Sequence, residues 1–232
     1  MPLIVVVGVS GCAGEGQERT AATAKPALLV ASSAAARSCV PDNSHQDIPQ
    51  TAPRQVHWER FEGVAVPFSP AVGPLEVRGD IARCYARTPR GALMAAVQIS
   101  VRLDRAPRWR QILNQQVVAD EGKVAYARAR AAQQVVAEGE AAQIAGFRIV
   151  SYTPQTAVIA TVSRDPARGA RTVRTTTVKW DGDWKLAPTP QGSTSSAPQT
   201  VNSLSGYVLW GRLLASPGLR AGDCALEFTD RR

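Results

Sequence analysis

Cys12 is the residue whose neighbours specify a reaction. It closes Val9-Ser10-Gly11-Cys12, a branched apolar residue and two small ones ahead of a cysteine, behind the apolar run Leu3 to Val9. This pattern reads as a lipobox. A diacylglyceryl group is transferred to the Cys12 thiol as a thioether, and the leader is cut just before it. Cys12 is then the first residue of a mature chain held on the outer face of a membrane. A leader also carries a basic n-region; Met1-Pro2 supplies none, and a true start further upstream is the expected explanation. Leu3 to Val7 followed by Gly8, Gly11 and Gly14 also imitates a strand entering a phosphate loop. Such a loop needs Lys and Ser/Thr after its last Gly, and Glu15-Gly16 stand there instead. A dinucleotide-binding turn should open a helix, whereas Ala, Thr and Pro come next. A plain N-terminal strand is the simple alternative to the lipobox.

Other reactive side chains are few. His45 and His57 are the only histidines, and neither has a ligand or nucleophile at a telling spacing, so Ser–His and Cys–His catalysis has little support. Cys39, Cys84 and Cys224 lack the close pairs of a zinc motif. With Cys12 acylated, they allow one disulfide and a free thiol, or no disulfide at all. Asp80, Asp104, Asp120 and Glu138 lie near predicted helices and read as caps or solvated positions, unless two of them meet in a pocket as acid and base. Asp181 and Asp183 read as turn residues. No catalytic residue, metal or cofactor is assigned. Trp109, Tyr152, Trp180, Trp184 and Trp210 are candidates for lining a pocket, with core packing as the alternative. Arg128 and Arg130 with Lys123 form a basic helix face. Without interleaved aromatics it reads as solvated, not as a nucleic-acid surface.

Composition narrows the setting. At 232 residues the chain suits one domain with a tail and can bury a real core. No apolar run approaches the roughly 20 residues that span a bilayer, so the anchor would be lipid, and two or three acyl chains hold firmly. The formal charge of +8 comes more from Arg than Lys. A basic surface facing anionic lipid or cell-wall polymer accounts for it, with no nucleic acid required.

The elements that must position these residues are read from pattern. Residues 1–11 read as the leader and 12–53, rich in Ala, Ser, Thr, Gln and Pro, as a tether too polar to order itself. A coil of that length spans on the order of 35 Å. The domain is expected over 54–216, opening with a proline-broken extended lead-in around Val64 to Pro74. Thr88-Pro89 is the clearest helix start, an N-cap and then a residue suited to the first turn. Ala92, Leu93, Ala96, Val97 and Val101 fall on one face behind it. A second helix is predicted from Pro107 to about Val118, placing Trp109, Ile112, Leu113 and Gln116 together. A third is predicted from Asp120 to about Ala142, with a stripe of Val124, Ala127, Ala131, Val135 and Glu138. From Gly146 the period becomes two. Strands are predicted at Gly146 to Tyr152, Thr156 to Ser163 and Arg171 to Trp180, with Val173, Thr175 and Thr177 opposite Arg174 and Thr176. Asp181-Gly182 should form a two-residue type I′ turn into a short strand ending at Ala187. Residues 188–203 read as a low-complexity loop, Gly206 to Leu214 as a last apolar element and 217–232 as a polar tail. Helices first and an antiparallel meander second make an α+β fold.

This layout, with Thr88-Pro-Arg-Gly-Ala92 and Trp180-Asp-Gly-Asp-Trp184, resembles a family of actinobacterial envelope proteins encoded on conjugative or mobile elements. The matching stretch runs from Trp58 to Leu214 and includes Val66-Pro67, Gly73-Pro74, Ala82-Arg83 and Trp210-Gly211. The resemblance implies an NTF2-like cone, a curved sheet against helices, as in VirB8-type and TcpC-type conjugation components. Those are scaffold subunits usually tied to the membrane by one N-terminal helix, where this chain has Cys12. The expected protein is a non-enzymatic, lipid-anchored scaffold that meets envelope proteins or further copies of itself. A small-ligand module using the cone pocket is the alternative.

Overall fold

A computed structural model of the protein describes residues 39–133 and 141–210. The elements are β1 (His57–Phe61), β2 (Val64–Phe68), β3 (Glu76–Arg78), β4 (Ile81–Arg83), α1 (Pro89–Arg105), α2 (Trp109–Gln116), α3 (Glu121–Ala132), β5 (Gln143–Tyr152), β6 (Thr156–Arg164), β7 (Arg171–Trp180), β8 (Trp184–Leu186), β9 (Gln199–Thr200) and β10 (Val208–Leu209). The fold is α+β. One open antiparallel sheet, ordered β10-β5-β6-β7-β8 with β9 also on β7, packs against the helices. The lipobox at Cys12, Val135, Glu138, Cys224 and the 217–232 tail lie outside the described residues.

Helix α1 is the centre of the core. Thr88 sits in extended backbone and its hydroxyl accepts the Gly91 N–H at 3.1 Å, with Pro89 in the first turn. Ala92, Leu93, Ala96 and Val97 are buried as their spacing predicts, but so are Met94, Ala95, Ile99 and Leu103. The helix is enclosed on nearly every side, which a one-stripe pattern does not convey. Because Thr88 is itself fully buried, Thr88→Ala is expected to lower the unfolding free energy by about 1–2 kcal/mol. Urea unfolding of the two proteins measures this, and Thr88→Ser should restore most of the loss.

The other helices depart from their patterns in instructive ways. Helix α2 keeps Trp109, Ile112, Leu113 and Gln116 together and buries them, but starts behind Arg108 instead of at Pro107. Asp120 caps α3 by accepting the Lys123 N–H at 3.0 Å. The stripe through Val124 is not the buried face: Val124 is 51% exposed, whereas Gly122 and Tyr126 pack inward. The 188–203 loop is the reason. Its backbone at Pro188 and Thr189 crosses so close to Gly122 that a Cβ there would strike it. A loop read as low complexity thus selects which side of α3 faces the protein.

The meander keeps the predicted order, with both faces covered. Ile144, Phe147, Ile149, Ala157, Ile159 and Val178 face the helices. Ala145, Ala160, Val162 and Val173 lie on the other face beneath Val201, Leu204 and Tyr207. Thr176 is therefore buried although it alternates with Val173. Strand β5 starts at Gln143 and carries two register shifts against β6. At the β7–β8 hairpin Trp180 pairs with Trp184, so the loop has three residues, Asp181 to Asp183, in place of a two-residue type I′ turn. Gly182 takes φ +75° there.

Two corrections concern the front of the domain. Helices do not come first, because the β1–β2 and β3–β4 hairpins precede them. The expected 12–53 tether also ends early. Cys39 is bonded to Cys84 in a disulfide. The Asp42 N–H donates to the Ala71 carbonyl at 2.8 Å, the Asn43 carbonyl oxygen Oδ1 accepts the Arg87 N–H at 2.6 Å, and Pro49 is buried. Composition alone does not reveal a covalent tie to residues 45 positions away.

Candidate functional site

Among the described residues, two clefts at the edge of the core stand out. The first, of about 290 Å³, lies where the Cys39–Cys84 disulfide, β3, β4, the end of α2 and the β7–β8 hairpin meet. The Asp183 carboxylate organises this junction. Its Oδ2 accepts the Cys84 N–H at 2.7 Å, and its Oδ1 accepts the Tyr85 N–H at 3.1 Å and the Trp184 N–H at 2.9 Å. Cys84 has φ +71°, a left-handed backbone uncommon for a residue with a side chain. The carboxylate and the disulfide together hold that conformation. Burial pushes the Asp183 carboxyl above its usual range, and the three backbone donors oppose the shift. On the cleft wall Glu76 pairs with both Arg78 and Arg83, and is held below the usual carboxylate range chiefly by its hydrogen bond from Arg83.

The second cleft, of about 300 Å³, lies between α1 and the helix-facing side of the sheet. Hydroxyls line it: Ser100 from α1, Thr161 and Ser163 from β6, Thr172 and Thr176 from β7. Arg174 and Arg105 bring cations, and Asp104 brings an anion. The Ser100 hydroxyl is buried with no hydrogen-bond partner among the described residues. Asp104 keeps solvent access at the rim, yet the protein atoms around it push its carboxyl up, against the pull of Arg174, Arg130 and Arg105. Such a wall can hydrogen-bond and orient a polar molecule. Among the described residues it contains no nucleophile paired with a base.

The five predicted pocket aromatics are not gathered at one mouth. Tyr152, Trp180 and Trp184 meet: the Trp180 and Trp184 rings are 5.5 Å apart, those of Tyr152 and Trp184 6.1 Å. The Trp184 indole N–H donates to the Ala86 carbonyl at 2.8 Å. Trp109 packs edge-on to Tyr126, and Trp210 packs between Trp58 and Phe147. Trp184 alone of the five borders a cleft, the disulfide one, and none borders the hydroxyl-lined cleft. Those hydroxyls are the residues that sequence reasoning missed. Their signal was the i, i+2, i+4 row of Thr172, Arg174 and Thr176, opposite Val173. His45 is exposed, and His57 pairs with Glu59 at 3.2 Å beside Phe68. Among the described residues no group of three His, Cys, Asp or Glu side chains is placed to hold a metal. No helix among them is long and apolar enough to cross a membrane.

The chain belongs to the family described as Domain of unknown function (DUF8175), which it matches over residues 19–209. No curated protein and no solved structure matches it.

Proposed function

We propose that this is an exported, lipid-anchored domain that holds a partner in the cell envelope and turns over no substrate. The observation that carries the reading is the Cys39–Cys84 disulfide, because such bonds persist in oxidising compartments and are rare in a reducing cytosol. An exported chain with the Val9-Ser10-Gly11-Cys12 motif is a substrate for acylation at Cys12. The NTF2-like cone belongs to the same proposal; α1 lying against an open antiparallel sheet supports it, and with it a role like that of conjugation scaffolds. Contacts would be made with envelope proteins or with further copies of the chain.

The test is the intact mass of the native protein from the membrane fraction. The expected form begins at Cys12 and carries acyl mass, and Cys12→Ser should move the protein out of that fraction. Globomycin should cause the uncleaved form to accumulate. Recovery of an unacylated cytosolic chain with free Cys39 and Cys84 thiols would overturn the proposal. Crosslinking in intact cells then tests the scaffold role, which fails if the domain stays monomeric and captures no envelope protein.

The hydroxyl-lined cleft favours a second reading, a small-ligand module. Its volume is at the lower end for ligand pockets. Screening polar fragments by protein-observed NMR should perturb Thr161, Thr172 and Arg174 together, and a screen that perturbs none of them removes this reading.

A further inference from the structure

The hairpin joining β6 to β7 has a charge arrangement that folding alone does not favour. Arg164 and Arg171 are directly opposite in the register, and Arg168 sits in the turn between them. Opposed residues of an antiparallel pair project on the same face, and like charges in that position repel. Among the described residues the acid in this turn, Asp165, attracts Arg168 through space but forms no ion pair with it. Asp165 uses its Oδ1 to accept the Ala167 and Arg168 backbone N–H groups at 2.9 and 3.0 Å. Those bonds, the one from Arg168 first, hold its carboxyl below the usual range and keep it ionised within the turn. None of the ion pairs among the described residues includes Arg164, Arg168 or Arg171. The Arg171 Nε is buried with no acceptor among them. Three arginines therefore share one hairpin end.

We infer that the Arg164–Arg168–Arg171 tip docks on the phosphate headgroups of an anionic lipid surface. Planar guanidinium forks match phosphate oxygens, and an anion seated between Arg164 and Arg171 turns their mutual repulsion into attraction. The choice of a lipid surface rests on the proposed membrane tether at Cys12. Cys39 lies by the Asp181–Asp183 end of β7, and the tip lies at the other end, roughly 30 Å away along ten residues of strand. The proposed thioether and the tip would then meet one bilayer together, with the domain lying on its side. Lipid fixes where the protein is, and the tip fixes which way it lies.

The experiment uses the full chain carrying Cys12→Ser, so binding does not depend on acylation. Its partition is measured onto phosphatidylglycerol vesicles and onto phosphatidylcholine vesicles, where any contribution of the apolar leader appears equally. Preference for the anionic vesicles is expected, weakening as salt rises from about 0.05 to about 0.3 M. Replacing Arg164, Arg168 and Arg171 together by Gln should reduce that preference roughly 100-fold, and Arg168→Gln alone, at an exposed turn position, about 5-fold. Equal binding to both vesicle types overturns the inference, as does an equal loss when Arg54, Arg110 and Arg128 are replaced instead. Competition by soluble polyphosphate that leaves vesicle binding of the triple variant unchanged from the parent would assign the tip to free phosphate and also overturn it. Acylation of the native protein is read separately by mass, so either proposal can fail while the other stands.

Discussion

Cys39→Ser is expected to lower the unfolding free energy by about 3–4 kcal/mol, and a reducing agent added to the parent protein should reproduce the loss. The disulfide closes a loop with a sequence separation of 45. Removing a cross-link of that length returns chain entropy to the unfolded state worth about 4 kcal/mol at 25 °C. The folded state also loses an attachment. The segment from Cys39 to Gln55 would then depend on a few hydrogen bonds, chiefly those of Asp42, Asn43 and Gln46 with Ala71, Arg87 and Tyr152. Limited proteolysis should accordingly open new cuts between Val40 and Val56 in the variant before the rest of the domain unfolds. Identical urea midpoints with and without reductant would show that the bond contributes nothing.

Asp183→Ala is expected to cost about 3 kcal/mol. The substitution strands the N–H groups of Cys84, Tyr85 and Trp184, all of them almost fully buried residues. Hydrogen bonds to a charged acceptor are worth about 1.5–3 kcal/mol each, and a buried donor left unpaired costs about 1–3 kcal/mol. Water at the half-exposed edge of the junction recovers part of the sum. Asp183→Asn should fall between parent and Ala, since one oxygen remains but its amide faces another N–H. The Asp183 and Cys39 variants both release the left-handed turn at Cys84, so their losses should combine to less than their sum. Strict additivity in a double-mutant cycle would disprove that coupling.

Much of the architecture was legible because local chemistry and tertiary demand agree. Thr88-Pro89 starts a helix in any context, and Phe147, Ile149 and Ile159 have one face on which to be buried. Illegible features were those decided by distant chain. Tyr126 turns inward because the 188–203 loop crosses Gly122. Asp183 belongs to a three-residue loop because its carboxylate is engaged by backbone almost a hundred positions earlier. The 39–53 segment has the composition of a coil and is ordered through a cysteine whose partner spacing does not identify. The hydroxyl-lined cleft escaped notice because Thr on a strand is ordinary, and only the sheet reveals that Thr161, Ser163, Thr172 and Thr176 share one wall with Arg174. Attention to aromatics pointed at the core instead.

The disulfide also determines how the domain would respond to being pulled. Tension that reaches Cys39 from its N-terminal side crosses the sulfur bridge to Cys84, so residues 40–83 are bypassed and cannot be peeled away in sequence. The load falls instead on the start of α1 and on the hairpin held by Asp183, deep in the packed centre. A head secured in this way would tear late and all at once under mechanical stress, whereas its reduced form would unravel strand by strand from the front.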